Sequence, residues 1–300
     1  MSKVRIVISL LLISHCLPNL AESEVKVTAG MELGYDDNII VEELDLQSSL
    51  GDQFLNYSLK GDFEYTINKK HEFSASFGLN DRQFQDAEAF DLFTTLTTVG
   101  YSYELNDLTL GVDVRTADSE LGGINFLQLD QVSPYFSYFI NRENFIRGSY
   151  TASDKTLDNN PTRNAEADEF GLDYYHFING LNRYVIISGK MRDQKARDTL
   201  FDYESSQFRI AYKQRVAMGE QTLKLSFAYR YKQRDYNTTT NPQIGDTRLD
   251  EIYSLEAKAS IELIDQLEVY VDIRFRDSNS NLPDYTFTDS RYTLGLSYEF

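Results

Sequence analysis

Residues 292–300 alternate large apolar side chains with small or polar ones up to the final carboxylate of Phe300. Successive side chains of a β-strand point to opposite faces, so this pattern predicts a closing strand with one apolar face and one polar face. Such a strand needs an apolar environment on one side and an aqueous one on the other. The wall of a transmembrane β-barrel, with lipid outside and a polar lumen inside, provides both.

The same period-two alternation recurs along the chain and predicts about fourteen strands. One face of each segment is rich in Val, Ile, Leu, Tyr or Phe. After residue 13 no apolar run is long enough for a membrane-spanning helix. The predicted strands lie at 25–35, 55–65, 73–79, 99–105, 108–114, 132–140, 145–153, 169–178, 183–192, 204–214, 223–231, 253–263, 267–275 and 292–300.

The connections between these strands alternate between short turns and longer polar segments. This asymmetry is typical of outer-membrane barrels, and an even strand number leaves both termini on the periplasmic side. We therefore predict an all-β fold: a single transmembrane antiparallel up-and-down β-barrel of about 14 strands, with short periplasmic turns and long extracellular loops. The long segments are 36–52, 83–91, 117–128, 154–167, 193–203, 236–248 and 277–289.

Composition excludes one class of membrane protein and leaves one soluble class open. The chain has 21 Tyr and 19 Phe but only 5 Pro and no Trp, and its mean hydropathy is −0.43. A helical membrane protein would need long apolar segments. A soluble β-sandwich or propeller would also alternate, but it would need Pro and Gly at its turns and large core residues such as Trp. The membrane barrel is therefore the preferred prediction.

The N-terminus has the features of a secretory signal peptide. Lys3 and Arg5 precede an apolar run at residues 6–13, and the small residues Ala21 and Ser23 offer a cleavage site. The run is too short to span a membrane as a helix. Export followed by insertion into the bacterial outer membrane is the expected localisation. The predicted division is a signal peptide at 1–23 and an outer-membrane β-barrel at 24–300.

Charge and reactive residues argue against several functions. The net charge of −18 becomes about −20 once Lys3 and Arg5 are removed, which disfavours nucleic acid as a partner. Cys16 would leave with the signal peptide, and with it any thiol chemistry. His71 lies in a predicted periplasmic turn and His176 near the periplasmic end of a strand, so neither fits a catalytic dyad at the outer rim. We predict no enzymatic activity, no cofactor and no metal site.

Basic residues recur on the lumen phase of the predicted strands, near their extracellular ends. Together they would form a cationic belt in the outer third of the lumen, which would concentrate anionic solutes. In the alternative interpretation each base pairs with a neighbouring lumen acid, such as Asp113, Asp272 or Glu256, and stiffens the wall. The predicted belt consists of Arg82, Arg115, Arg192, Arg230, Lys232, Arg234, Arg274, Arg276 and Arg291.

The first long loop is acidic. Its carboxylates would make the outer mouth of the barrel negative, where they would bind divalent cations among lipopolysaccharide phosphates or keep the loop solvated. A barrel of about eight strands is filled by its own side chains, and one of about sixteen or more leaves an aqueous channel. About fourteen strands lie between these sizes, so the one constriction we expect is an inward-folded loop. The acids of this loop are Asp36, Asp37, Glu42, Glu43 and Asp45.

Four residues of the last predicted strand match an assembly signal. Thr293, Gly295, Tyr298 and Phe300 resemble the C-terminal signature by which the bacterial outer-membrane assembly machinery recognises barrels. The resemblance implies the barrel assembly machinery as a partner. Outer-membrane lipid and lipopolysaccharide are the other expected contacts.

Two further motifs resemble the first and last hairpins of a porin-like family of outer-membrane barrels. A Gly-Tyr-Asp-Asp-Asn start, here at residues 34–38, is common in that family, and members are often encoded with exopolysaccharide or capsule systems. The resemblance implies passage or export of polysaccharide-type material, with polysaccharide export components as partners. The matching segments at the other end are 276–279, 285–287 and 291–296.

Several functions therefore stay open. The preferred one is a porin-like channel that passes or exports anionic or polysaccharide-type solutes. The alternative is a non-conducting structural or adhesive barrel with acidic loops. An outer-rim enzyme ranks lower, and so does a barrel that moves lipoproteins to the cell surface. The closing pattern is similar to such lipoprotein barrels, but those usually carry a helical-repeat domain before the barrel, where we expect only a signal peptide.

Overall fold

The computed structural model describes residues 21–48, 50–219 and 221–300. Most of this part of the chain is β-strand, and single 3₁₀ turns lie in five of the connections. The strands are β1 (Ala21–Asp36), β2 (Ile40–Val41), β3 (Leu46–Gln47), β4 (Asp52–Ile67), β5 (His71–Phe84), β6 (Leu92–Leu105), β7 (Leu108–Leu121), β8 (Ile124–Asn141), β9 (Asn144–Leu157), β10 (Ala165–Phe177), β11 (Arg183–Ala196), β12 (Tyr203–Met218), β13 (Gln221–Asn241), β14 (Asp246–Ile264), β15 (Leu267–Ser280) and β16 (Phe287–Glu299).

Fourteen of these strands form one closed antiparallel barrel in chain order, and β2 and β3 form a separate two-stranded hairpin. The barrel closes where β1 pairs with β16, from Thr28 opposite Glu299 to Asp36 opposite Arg291. The backbone N–H of Phe300 extends this seam by donating to the carbonyl of Val27 at 2.9 Å. The predicted fold class is confirmed.

Alternation along the strands separates a lipid face from a lumen face. On β16 Leu294 is 54% exposed on the outside, whereas the adjacent Thr293 is 7% exposed and faces inward. The barrel strands, of 13 to 21 residues, exceed the 9–11 residues that cross a bilayer at a tilt. No helix in the described ranges is both long and apolar enough to cross a membrane.

The extracellular connections are shorter than we predicted. The expected loop at 117–128 is a tight turn, because β7 continues to Leu121 and β8 begins at Ile124, with Gly122 and Gly123 at positive φ. Likewise β13 and β14 run through most of the expected loop at 236–248. The hydrogen-bonded ladder extends above the membrane, where both faces meet water. An apolar face is not needed there, so the alternation that signals a strand disappears while the strand continues.

The predicted signal peptide at 1–23 falls outside the described residues except for 21–23, which begin β1. Export by this segment therefore stays a prediction. Periplasmic turns connect the other ends of the strands, and several contain residues at positive φ, such as Asn68, Asn106 and Gln266. These turns are short, so the element that positions the site is the longer connection between β1 and β4.

Candidate functional site

The connection between β1 and β4, residues 37–51, is called loop L1 here. Within it β2 and β3 pair as a small hairpin, with a 3₁₀ turn at Glu42–Leu44. Asp45 adopts the left-handed conformation (φ 53°), which returns the chain into β3. The backbone N–H of Ser48 donates to the carbonyl of Ile39 at 2.8 Å and closes the hairpin. This geometry presents three carboxylates, those of Glu42, Glu43 and Asp45, at one tip.

The base of L1 is fixed by an apolar cluster and by polar contacts to the last connection. Ile39 packs with Phe54 and Phe84, all three nearly inaccessible to solvent, in the only such cluster of the described chain that includes loop residues. Across the seam, Asn38 Nδ2 donates to the carbonyl of Thr288 at 3.2 Å. Gln47 Nε2 donates to the carbonyl of Asp284 at 3.1 Å. These contacts therefore fix the direction in which L1 extends from the barrel wall.

Glu42 lies against the wall formed by β13 and β15. Its carboxylate pairs with Arg234 of β13 at 2.7 Å and with Arg276 of β15. Burial raises the pKa of Glu42, but Arg234, Arg276 and Lys232 outweigh this effect, and the net pKa lies below the usual range of a glutamate. Glu42 is therefore ionised in its docked position.

Glu43 reaches the opposite side of the barrel. Its carboxylate accepts from Lys155 Nζ at 2.8 Å. Lys155 lies on β9, which is six strands from β1 in one direction around the barrel and eight in the other. Arg163, in the connection after β9, donates to the backbone carbonyl of Glu43 at 3.2 Å. L1 consequently spans the lumen from wall to wall near its outer end.

Asp45 is the most enclosed of the three tip carboxylates. It pairs with Arg163 at 2.6 Å and with Arg248 of β14 at 3.2 Å. The side chains of Asp45 and Arg248 are 7% and 6% exposed. Arg248 also pairs with Asp250 at 2.7 Å. A buried charge needs such complete pairing, because an unpaired one is strongly destabilising.

These contacts overturn one expectation. Glu42, Glu43 and Asp45 do not make the outer mouth negative, since they point inward and each is neutralised by basic side chains of the wall. Asp36 and Asp37 stay at the rim, where together with Asp289 they place one carboxylate oxygen each within 4.8 Å of one another. Arg291 pairs with Asp36, and Arg274 pairs with Asp289 at 2.8 Å, so this group carries little free negative charge.

All nine residues of the predicted belt lie on the lumen phase, opposite the exposed apolar residues of their strands. The structure brings two of them, Arg234 and Arg276, onto L1. Arg230 pairs with Glu256 at 3.1 Å, and Arg192 lies 3.9 Å from Glu169. Lys232 is partly buried and lies close enough to Glu42 to lower its pKa, without forming an ion pair among the described residues. The other members lie apart from the L1 tip: Arg274 and Arg291 pair with Asp289 and Asp36, Arg82 stacks over Phe54 at 4.8 Å, and Arg115 is exposed.

The acids that we named as alternative partners behave differently from one another. Glu256 pairs with the belt residue Arg230, as that interpretation expected. Asp113 pairs with Arg147, which is outside the predicted belt, at 3.4 Å. Asp272 forms no ion pair within the described ranges. Wall pairing is therefore real for part of the belt, while L1 supplies the partners for another part.

Three basic residues of the site were missed: Lys155, Arg163 and Arg248. All three fall in segments that we predicted as loops, 154–167 and 236–248. Lys155 and Arg248 continue the lumen phase of β9 and β14, two residues beyond Ser153 and Asp250 respectively. Lys155 and Arg248 could have been predicted by continuing the alternation of each strand beyond its last apolar residue. Arg163 lies in a 3₁₀ turn, for which the sequence carries no such signal.

The two histidines are remote from L1. His71 Nδ1 lies 2.9 Å from the hydroxyl of Tyr101, and His176 Nδ1 lies 3.0 Å from Asn144 Oδ1. Both are near the periplasmic ends of their strands. The absence of enzymatic activity stays a prediction.

A sequence model of the family described as "Surface lipoprotein assembly modifier" matches residues 36–300, that is, from the last residue of β1 through L1 and the rest of the barrel. The chain belongs to this family. A search of curated protein sequences gives no match. Within the family match lie all the L1 contacts described above, and an association with exopolysaccharide systems stays a prediction.

Solved structures similar to this family member are outer-membrane proteins. A Salmonella typhi OmpF in complex with daunomycin has a TM-score of 0.53 at 12% identity, covering 93% of this chain and 97% of that one. An anion-selective porin from Comamonas acidovorans has a TM-score of 0.51 at 9% identity, covering 93% and 100%. A bacterial polysaccharide outer membrane secretin also has 0.51, at 10% identity, covering 91% and 98%. At such identities the likeness concerns the fold, which is that of a bacterial outer-membrane β-barrel.

Proposed function

We propose that this protein is a barrel with a closed resting lumen that takes part in placing lipoproteins on the cell surface. The observation that carries the proposal is the ion pair of Glu43 with Lys155, which holds L1 across the lumen. Membership of the surface lipoprotein assembly modifier family supports the choice of cargo.

A closed resting state fits the way L1 is held. Its tip is fixed by ion pairs to several strands, including β9, β13, β14 and β15, and only its base is fixed by apolar packing. The side chains of Glu42 and Glu43 are 42% and 41% exposed, so their ion pairs exchange readily for hydration. The buried pairs of Asp45 cost more to break, but opening the hydrogen-bonded ladder of the barrel would leave a row of backbone groups unpaired. L1 is therefore the element that can leave the lumen while the wall stays intact.

The test is surface delivery of a co-expressed lipoprotein in a Gram-negative host, read out by protease accessibility on intact cells. Wild-type protein should increase the accessible fraction over an empty vector. A variant lacking residues 40–47 should change that fraction, because it has no tip to displace. The matched control is E88Q/D158N/D246N, which removes three exposed carboxylates of other extracellular segments. Surface delivery that is the same with and without the barrel would refute the proposed cargo.

A second candidate, an anion-preferring channel, is favoured by the belt arginines that do not contact L1. Arg230 and Arg274 line the wall below the tip. Single-channel conductance of the refolded barrel, with the reversal potential under a salt gradient, tests it. Stable anion-selective steps in the wild type would support this candidate. Conductance that appears only when L1 is altered would favour the closed barrel instead.

A further inference from the structure

The basic side chains around the L1 tip form a ring on the lumen wall. In the part of the chain that the structure describes, five of them contact the tip, and they are called the tip ring: Lys155, Arg163, Arg234, Arg248 and Arg276. They come from four strands and one connection, and they face three tip carboxylates. Among the described residues, only Arg248 and Arg276 of the tip ring have further acidic partners, Asp250 and Asp289. Without L1 the ring would carry a net positive charge.

Aromatic residues of the wall and of two connections contact arginines of the tip ring without involving L1. Arg248 stacks between Tyr236 and Tyr285, with its guanidinium carbon 4.5 Å and 3.6 Å from their ring centres. Arg163 lies 4.0 Å from the ring centre of Phe201. Stacking fixes the plane of a guanidinium and so orients its donors. The ring is therefore preorganised to receive carboxylates.

One of these guanidinium groups has a donor left over. The Nε atom of Arg234 is buried and has no hydrogen-bond acceptor among the described residues, even with Glu42 docked against this arginine. The Nε atom of Arg276, by contrast, lies 3.4 Å from Asp289. Buried donors without acceptors are uncommon in native structures, so the Nε atom of Arg234 can still donate to a further acceptor. The L1 tip therefore occupies the ring without saturating it.

We propose that the tip ring is a binding site for an acidic polypeptide segment and that the L1 tip occupies it as an internal mimic. The proposal deepens the proposed function, on which its biological role rests, by naming the chemistry of the cargo segment that the lumen accepts. An acidic segment that binds the ring displaces L1 and thereby opens the lumen. Opening would then be coupled to the arrival of cargo.

A polypeptide fits the tip ring better than a polysaccharide, because the contacts of the L1 tip show which chemical groups the ring binds. The ring binds carboxylates at residues 42, 43 and 45 of one hairpin and also a peptide carbonyl, that of Glu43, through Arg163. A set of donors that binds side-chain carboxylates together with a backbone carbonyl matches an acidic turn of a protein. An acidic polysaccharide without N-acetyl groups could satisfy the charges but would lack the amide carbonyl acceptor.

The test uses the purified barrel with residues 40–47 replaced by eight Gly and Ser residues, reconstituted in planar bilayers. The probe is a cyclised synthetic peptide with the sequence of residues 39–48, added from the outer side. It should block the current, and a peptide with Gln, Gln and Asn in place of the three acids should block at concentrations at least about tenfold higher. Equal block by both peptides, or none by either, would overturn the proposal.

Two further measurements keep the outcome unambiguous. Dextran sulfate should block less strongly than the acidic peptide at equal charge concentration, and a stronger block by dextran sulfate would overturn the choice of a polypeptide. If the loop replacement does not fold, anisotropy of the labelled peptide on E42Q/E43Q/D45N barrels, whose wall is unchanged, replaces the current. Peptide binding without any effect of the barrel on lipoprotein delivery would leave the tip ring in place and refute only the proposed function.

Discussion

The carboxylate of Glu43 and the ammonium of Lys155 lie 2.8 Å apart, although Glu43 belongs to the loop after β1 and Lys155 to a strand almost half the barrel circumference away. Glu43 can reach Lys155 only if L1 extends from β1 across the outer end of the barrel. L1 therefore lies across the outer end of the lumen.

Removal of the Lys155 charge should loosen the L1 tip. In K155Q, Glu43 loses its ion pair and keeps only the backbone contact to Arg163, so amide hydrogens of residues 40–47 should exchange faster. Hydrogen exchange followed by mass spectrometry measures this. The control is K195Q, which removes an exposed lysine paired with Asp193. Equal exchange in both variants would contradict the role assigned to Lys155.

Removal of Arg248 should destabilise the outer end of the barrel more than removal of other lumen bases. R248Q leaves Asp45 with one basic partner and Asp250 with none, and both carboxylates are buried. We expect a loss of about 3–5 kcal/mol, as found when one partner of a buried pair is removed. Urea denaturation of the refolded barrel measures it. R115Q, at an exposed lumen position, should change the midpoint little.

Docking of L1 should weaken in acid. Glu42 has a depressed pKa in the docked loop, so it stabilises docking fully at pH values above its ordinary value of 4.5. As the pH falls below that value the undocked glutamate becomes protonated first, and the stabilisation decreases until the depressed pKa is reached. Conductance of the wild-type barrel should therefore rise below about pH 4. In E42Q this rise in conductance should be smaller. An unchanged rise would show that titratable groups other than Glu42 cause it.

A side chain at position 34 should disturb the base of L1. A Cβ at Gly34 would lie 2.3 Å from the ring of Phe54, which belongs to the apolar cluster below L1. G34A should cost about 1–3 kcal/mol, because overpacking forces that ring to move. G189A, where a Cβ meets no atom within 4 Å, is the matched control. The urea midpoint of G34A should therefore be lower than that of G189A.

The predicted assembly signal can be separated from stability. Phe300 is 68% exposed, and its backbone N–H makes the last hydrogen bond of the seam. F300A keeps that bond, so the urea midpoint of refolded protein should stay close to that of the wild type. The amount assembled into the outer membrane of cells should fall by contrast. A parallel loss in both measurements would mean that Phe300 acts only through stability.

The sequence determined the barrel because period-two alternation is imposed strand by strand, by lipid on one side and water on the other. Strand β16, the lumen phase of Arg234 and Arg276 and the even strand number followed from it. The alternation ended where the strands leave the membrane, which is why β13 and β14 extend further than predicted.

Only the tertiary structure decided where L1 goes. In the sequence, the carboxylates of Glu42, Glu43 and Asp45 are equally consistent with a solvated outer loop. Local sequence carries no information about a partner that is distant in the chain. Lys155 and Arg248 meet them only after the barrel has closed and brought opposite walls to within the span of one hairpin. The pairing of charges across a closed ring, rather than any local propensity, placed the loop inside the lumen.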